Sequence, residues 1–153
     1  FAIGDSYVGE YLWGKAEGYG QYAWSNGNLY SGQFFNGQKN GQGQWKKNGN
    51  EDSNEYMGRY KNDKKHGYGE FKWTSGSKYK GNYVNDIKHG YGEMYWNDET
   101  IFRGYWNEGL QDGIGLMIFK DGERKAGFFE ANIYRRPLKN WKEFEDFAKN
   151  FKK

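Results

Sequence analysis

One segment recurs five times along the chain at nearly constant spacing, and this repeat limits the possible folds more than any other feature. "YVGEYLWGKAEGYGQYAWSNG" starts at Tyr7, "YSGQFFNGQKNGQGQWKKNG" at Tyr30 and "YMGRYKNDKKHGYGEFKWTSG" at Tyr56. "YKGNYVNDIKHGYGEMYWNDE" then starts at Tyr79 and "FRGYWNEGLQDGIGLMIFKDG" at Phe102, so the offsets are 23, 26, 23 and 23. The three extra residues fall in the polar run from Lys46 to Glu55. Self-similarity at such a period marks an array of small supersecondary units, none of which buries its apolar face alone. Here each unit alternates with period two in both halves, around a Gly-x-Gly segment and an Asn-Gly or Asn-Asp pair. Period two is the strand period, and Asn-Gly is the strongest short hairpin signal. Each unit is therefore expected to be a β-hairpin, and the chain a meander of hairpins.

Composition explains how such a chain packs. It holds 32 Phe, Trp and Tyr residues and 24 Gly among 153, with few aliphatic side chains. Disordered chains are poor in aromatics, so this one is expected to fold and to bury rings, at roughly 150–250 Å² each. Alternation places Tyr56, Gly58, Tyr60, Gly67, Gly69, Phe71 and Trp73 on one face, opposite Arg59, Glu70, Lys72 and Lys80. The same rule groups Tyr7, Gly9, Tyr11, Gly18, Gly20, Tyr22 and Trp24 against Glu10 and Gln21. One face is an aromatic ladder with glycines on which rings lie flat; the other is largely polar. The ladder is the only core of a single-layer array, the lining of a partly open groove, or both.

At these residues the chain resembles the MORN repeat family (membrane occupation and recognition nexus), over residues 1 to about 130 and in one register throughout. The resemblance implies a mainly β, elongated, single-layer twisted antiparallel meander of 23-residue hairpins. Residues 1–6 read as the tail of a preceding repeat, because Phe1 and Gly4 precede Tyr7 as Trp24 and Gly27 precede Tyr30. The array is accordingly expected to continue before Phe1. About five and a half repeats span 7–130, a connector 131–137, and an amphipathic helix 138–153. In that last segment Pro137 stops the array, and Asn140 with Glu143 forms an N-cap pair. Leu138, Trp141, Phe144, Ala148 and Phe151 then make one apolar stripe. The last hairpin carries Tyr105, Ile114, Leu116 and Ile118 where earlier units are polar. The helix is expected to fold back and cap the array, with display to a partner or a membrane as the competing reading.

Chemistry is sparse. Without Cys there is no thiolate nucleophile or Cys-ligated zinc, a usage that fits an intracellular setting. His66 and His89 occupy equivalent places one repeat apart, about 10 Å, too far to share a zinc ion. The Gly-x-Gly pieces lack the Lys-Ser/Thr and helix context of a phosphate loop. Neither an enzymatic activity nor a cofactor or metal site is expected. A net charge of +3 with mixed signs argues against a nucleic-acid arm.

MORN repeats occur in junctophilins, plant phosphatidylinositol-phosphate kinases, radial-spoke head proteins, a lysine methyltransferase and apicomplexan cytoskeletal scaffolds. The resemblance therefore implies a non-catalytic protein-interaction scaffold, cytoplasmic, in cytoskeletal or membrane-associated organisation. Its groove would take a partner helix or extended peptide, or another copy of the chain, on Tyr11, Trp24, Tyr30, Phe34, Tyr56, Tyr60, Trp73, Tyr79, Tyr83, Trp96 and Trp106. A second reading is attachment to phosphoinositide or other anionic lipid through Lys61, Lys64, Lys65, Lys78, Lys80 and Lys88, diluted by Asp63, Glu70 and Asp86. A third is the regulatory region of a larger enzyme.

Overall fold

The computed structural model describes residues 3–49 and 52–150; Phe1 and Phe151, named above, lie outside them. Each repeat is a seven-residue strand followed by a nine-residue one. They are β1 (Ser6–Leu12) with β2 (Lys15–Ala23), β3 (Leu29–Phe35) with β4 (Gln38–Lys46), and β5 (Glu55–Lys61) with β6 (Lys64–Lys72). Then come β7 (Lys78–Val84) with β8 (Ile87–Tyr95), and β9 (Ile101–Asn107) with β10 (Leu110–Ile118). A sixth hairpin joins β11 (Arg124–Glu130) to β12 (Ile133–Pro137), and the helix α1 spans Trp141–Asn150. All the strands pair in chain order in one 12-stranded antiparallel sheet. The fold expected from the repeat is therefore the fold observed.

Two turn types alternate, each with its own chemistry. Within a hairpin the turn is two residues long and both have positive φ, as at Asn36-Gly37 and Asn85-Asp86. That is the type I′ geometry matching strand twist, and Asn, Asp and Gly tolerate it best. Between hairpins a longer turn ends on a left-handed residue, Gly27, Gly76, Glu99 or Gly122. Gly4, with φ +87°, has the conformation of Gly27, in keeping with its reading as the turn of an equivalent position. The 26-residue offset is taken up by a short 3₁₀ turn, Lys47–Gly49, in the longer connection before β5.

The segment 131–137, expected as a connector, belongs to the sheet. Ala131 and Asn132 both have positive φ, and β12 pairs with β11 from Glu130↔Ile133 to Gly127↔Pro137. Sequence similarity fades there while the alternation survives, with Tyr134 half-buried between exposed Ile133 and Arg135. Pro137, unable to donate a ladder hydrogen bond, sits at the end of an edge strand, where proline is tolerated.

The core lies on one face. Tyr30, Tyr56, Tyr79 and Phe102 are essentially inaccessible, and Phe34, Tyr60, Tyr83, Trp106 and Phe129 are buried beside them. The first ring of each unit lies flat on a pair of facing glycines, such as Gly58↔Gly69 under Tyr56. A Cβ on Gly69 or Gly92 would run into the ring above it, which is why the sequence has glycine there. The inner tyrosines also close a polar link, with hydroxyls of Tyr30, Tyr56 and Tyr79 donating to the carbonyls of Gln33, Arg59 and Asn82 at 2.8–2.9 Å.

The helix packs on the other face. Asn140 accepts the Glu143 N–H at 3.2 Å as the N-cap. The Glu143 carboxylate turns to the Lys139 N–H and to Arg136 instead of back to Asn140. Phe147 makes the contact with the sheet, edge to face with Tyr105 at 4.8 Å and near Phe128 at 6.2 Å. The stripe read from the sequence omitted Phe147. Trp141, on that stripe, stays 67% exposed and stacks on Phe144.

Candidate functional site

The aromatic face has two tiers. In the inner tier, twelve rings from Tyr11 to Tyr134 form an unbroken zigzag of edge-to-face contacts. Within a unit the ring at the first position meets the one four residues on, Tyr56 with Tyr60 at 5.1 Å and Tyr79 with Tyr83 at 5.2 Å. Between units the same rings bridge onward, Tyr30 to Tyr60 at 5.3 Å, Tyr56 to Tyr83 at 5.6 Å and Tyr79 to Trp106 at 5.6 Å. Such contacts contribute about 0.5–1.5 kcal/mol each beyond the area they bury. Tyr30, Phe34, Tyr56, Tyr60, Tyr79, Tyr83 and Trp106 all belong to this tier, so they hold the sheet and offer a partner little surface.

The outer tier is half-exposed. Trp24, Trp73 and Trp96 stand at equivalent positions, each the last residue before the longer turn, with Phe119 in the fifth unit and Lys47 in the second. Tyr22 and Phe71 pack against Trp24 and Trp73 at 4.6 Å. Tyr11, in the inner zigzag but close to one edge of the sheet, is 51% exposed. Of the aromatic residues read from the sequence as a groove, Tyr11, Trp24, Trp73 and Trp96 are the accessible ones.

Lysines run between the tiers. A two-residue excess in each returning strand, at the Gly-x-Gly segment, brings Lys65 opposite Tyr60 and Lys88 opposite Tyr83. Lys39 lies over Trp24, Tyr30 and Tyr60, and Lys65 over Tyr56, Phe71 and Tyr83, all at 5.2–5.8 Å. Lys88 lies over Trp73, Tyr79 and Trp106 at 5.0–5.3 Å. Burial pushes the ammonium pKa of all three down, and the carboxylates of Asp63 and Asp86 pull partly the other way at Lys39, that of Asp86 at Lys65. The same burial raises the inner phenols well above their ordinary range. Lys65 and Lys88, grouped by sequence with an exposed basic set, are thus half-buried members of the aromatic face. Lys39 was missed, although it shares strand parity with the rings.

Lys61, Lys64 and Lys78 are exposed, and Lys80 lies on the opposite face between Glu70 and Glu93 in register. That face carries a cross-strand row of alternating charge from Glu70 to Arg103, including an Arg103–Glu93 pair at 3.4 Å. His66 accepts the Asn85 N–H across the unit boundary at 3.4 Å. Among the described residues, no group of three or more His, Asp or Glu side chains could hold a metal ion. Among them, too, no helix is long and apolar enough to cross a membrane.

The family model for the MORN repeat matches residues 7–29, 30–51, 56–78, 79–101 and 102–124, more than half of the chain. The chain belongs to the MORN-repeat family. Each matched MORN unit opens on an inner-tier ring, at Tyr7, Tyr30, Tyr56, Tyr79 and Phe102. The ring that opens each of these MORN units is therefore a packing residue. In a sequence comparison, no curated protein matches the chain.

Proposed function

We propose that this MORN module is a protein-interaction scaffold whose outer aromatic tier holds an extended peptide or a helix of a partner protein. The observation that carries this reading is the set of half-buried Trp24, Trp73 and Trp96 on one face with Lys39, Lys65 and Lys88. Indole rings are the side chains most enriched at binding hot spots, and here a rigid inner tier fixes them in place. The helix occupies the opposite face, which leaves the aromatic face without a second layer among the described residues.

The test is affinity capture with the unaltered chain and with a Trp73→Ala/Trp96→Ala variant whose circular dichroism shows it folded. The scaffold reading expects recovery of the bound protein to fall at least tenfold, and unchanged recovery contradicts it. Attachment to anionic membranes is a second reading, supported by exposed Lys61, Lys64 and Lys78. It is weaker because Lys65 and Lys88 lie among rings and Lys80 between two carboxylates. Sedimentation with phosphatidylserine vesicles at two salt concentrations checks it, since charge-driven binding falls steeply with salt.

A further inference from the structure

The three half-buried lysines do not have equivalent surroundings. In the hairpin turn facing Lys39 stands Asp63, whose N–H donates to the Lys39 carbonyl and whose carboxylate accepts the Lys39 N–H at 2.8 Å. Asp86 does the same for Lys65, also at 2.8 Å. At Lys88 the turn residue is Gly109. Its N–H keeps the bond to the Lys88 carbonyl at 3.0 Å, but it has no side chain to bring a carboxylate. Lys65 repels the Lys88 ammonium.

A cleft of about 510 Å³ opens at this point, lined by Lys88, Met94, Trp96, Trp106, Met117 and Phe119. That is within the size range of ligand clefts, with an aromatic and methionine wall, a half-buried cation, and the amides of Gln111 and Asn132 at its margin. Asp98 and Thr100 also line it, and the Asp98 carboxylate, exposed at the rim, accepts the Thr100 N–H at 2.9 Å.

We infer that this cleft anchors the partner by an aspartate or glutamate carboxylate set against the Lys88 ammonium, beside a turn where Gly109 brings no carboxylate such as Asp63 and Asp86 bring next to Lys39 and Lys65. The flanking apolar side chains of the same peptide rest on Trp96, Met117 and Phe119. The inference rests on the scaffold reading and specifies the chemistry of what is bound. Charge complementarity selects the occupant: a cation already desolvated by rings gains most from a carboxylate delivered on an apolar segment.

The structure supplies its own blocking variant. In Gly109→Asp the new side chain repeats Asp63 and Asp86, which occupy the same turn position at φ of 68° and 72°. Its Cβ would meet the nearest atom, Ile87 Cγ2, at 3.6 Å, an ordinary contact. The probes are the blocked pentapeptides acetyl-GLELG-amide and acetyl-GLQLG-amide and sodium acetate, titrated against the full chain. The readout is the ¹H–¹⁵N signal of the Trp96 indole.

The glutamate peptide is expected to bind about tenfold more tightly than the glutamine peptide. That preference is expected to vanish in Gly109→Asp and in Lys88→Met, the second serving if the first does not fold. Equal affinities for the two peptides overturn the inference while leaving the scaffold reading intact, as does binding of neither probe when partner capture still depends on Trp73 and Trp96. A preference that survives both substitutions, or acetate shifting the signal as strongly as the peptide at equal concentration, also overturns it.

Discussion

Tyr56 shows what a single residue does in this array. Its ring lies on Gly69, its hydroxyl donates to the Arg59 carbonyl at 2.8 Å, and its edges meet Tyr60 and Tyr83. Gly69→Ala therefore overpacks a site that cannot yield and is expected to cost about 1–3 kcal/mol in urea denaturation. Tyr56→Phe keeps the ring contacts and loses one hydrogen bond, so about 1 kcal/mol is expected by the same measurement. Glu99 is a contrasting case, a left-handed residue where other units have Gly27, Gly76 and Gly122. Its pairing with Lys120 at 3.2 Å is exposed and contributes little. Glu99→Gly is expected to raise stability by about 0.5–1 kcal/mol, since relief of the left-handed strain exceeds the entropy cost of glycine. At this scale strand parity identified the inner rings, and repeat-to-repeat comparison identified their glycines. Parity also puts Lys39, Lys65 and Lys88 on that face, but their approach to the rings depends on the bulge that pairs Lys65 with Tyr60, a feature of pairing and not of one strand's pattern.

Among the elements, the hairpins were legible and the C-terminal segment only partly so. Two-residue turns with positive φ, Asn-Gly or Asn-Asp in three of the six hairpins, set the register, which extends to β12 although the sequence similarity ends earlier. The helix is apolar over a wide arc, and periodicity alone does not choose which edge of the arc meets the sheet. Phe147 makes that contact because Tyr105, Phe128 and Gly113 form its seat on the opposite face. Phe147→Ala is expected to destabilise the terminal hairpins by about 1–2 kcal/mol, less than for a fully buried ring. In a repeat array that loss stays local. Hydrogen exchange should accordingly quicken in β9 to β11 and remain unchanged in β3 to β6; uniform quickening would show that the array unfolds as one unit.

Across the whole molecule, one sheet without a second layer is held by a chain of rings, and this gives it an alkaline limit. Burial raises the phenols of Tyr30, Tyr56, Tyr60, Tyr79 and Tyr83 far above 10.0. Their contribution is complete below that value. It is lost as pH rises above it, because the unfolded chain then releases protons that the folded one keeps. Five phenols make the loss as much as about 7 kcal/mol per pH unit. Lys39, Lys65 and Lys88 have the opposite sign: their folded pKa lies below 10.5, so burying the ammonium costs stability at neutral pH, and the cost is relieved as pH rises toward 10.5. Thermal melts should show stability holding or rising slightly up to about pH 10 and collapsing above it, with phenolate absorbance appearing together with unfolding. Normal tyrosine titration in a folded chain would contradict the packing described. The central claim is that the same face supplies both core and binding surface, the inner tier for one and the outer tier for the other. Photocrosslinking tests it most directly, with benzoylphenylalanine placed at Trp73 on the aromatic face or at Met57 on the opposite one, in extract of the source cells. The account predicts a discrete protein adduct from position 73 and none from position 57; adducts from 57 alone, or equally from both, would contradict it.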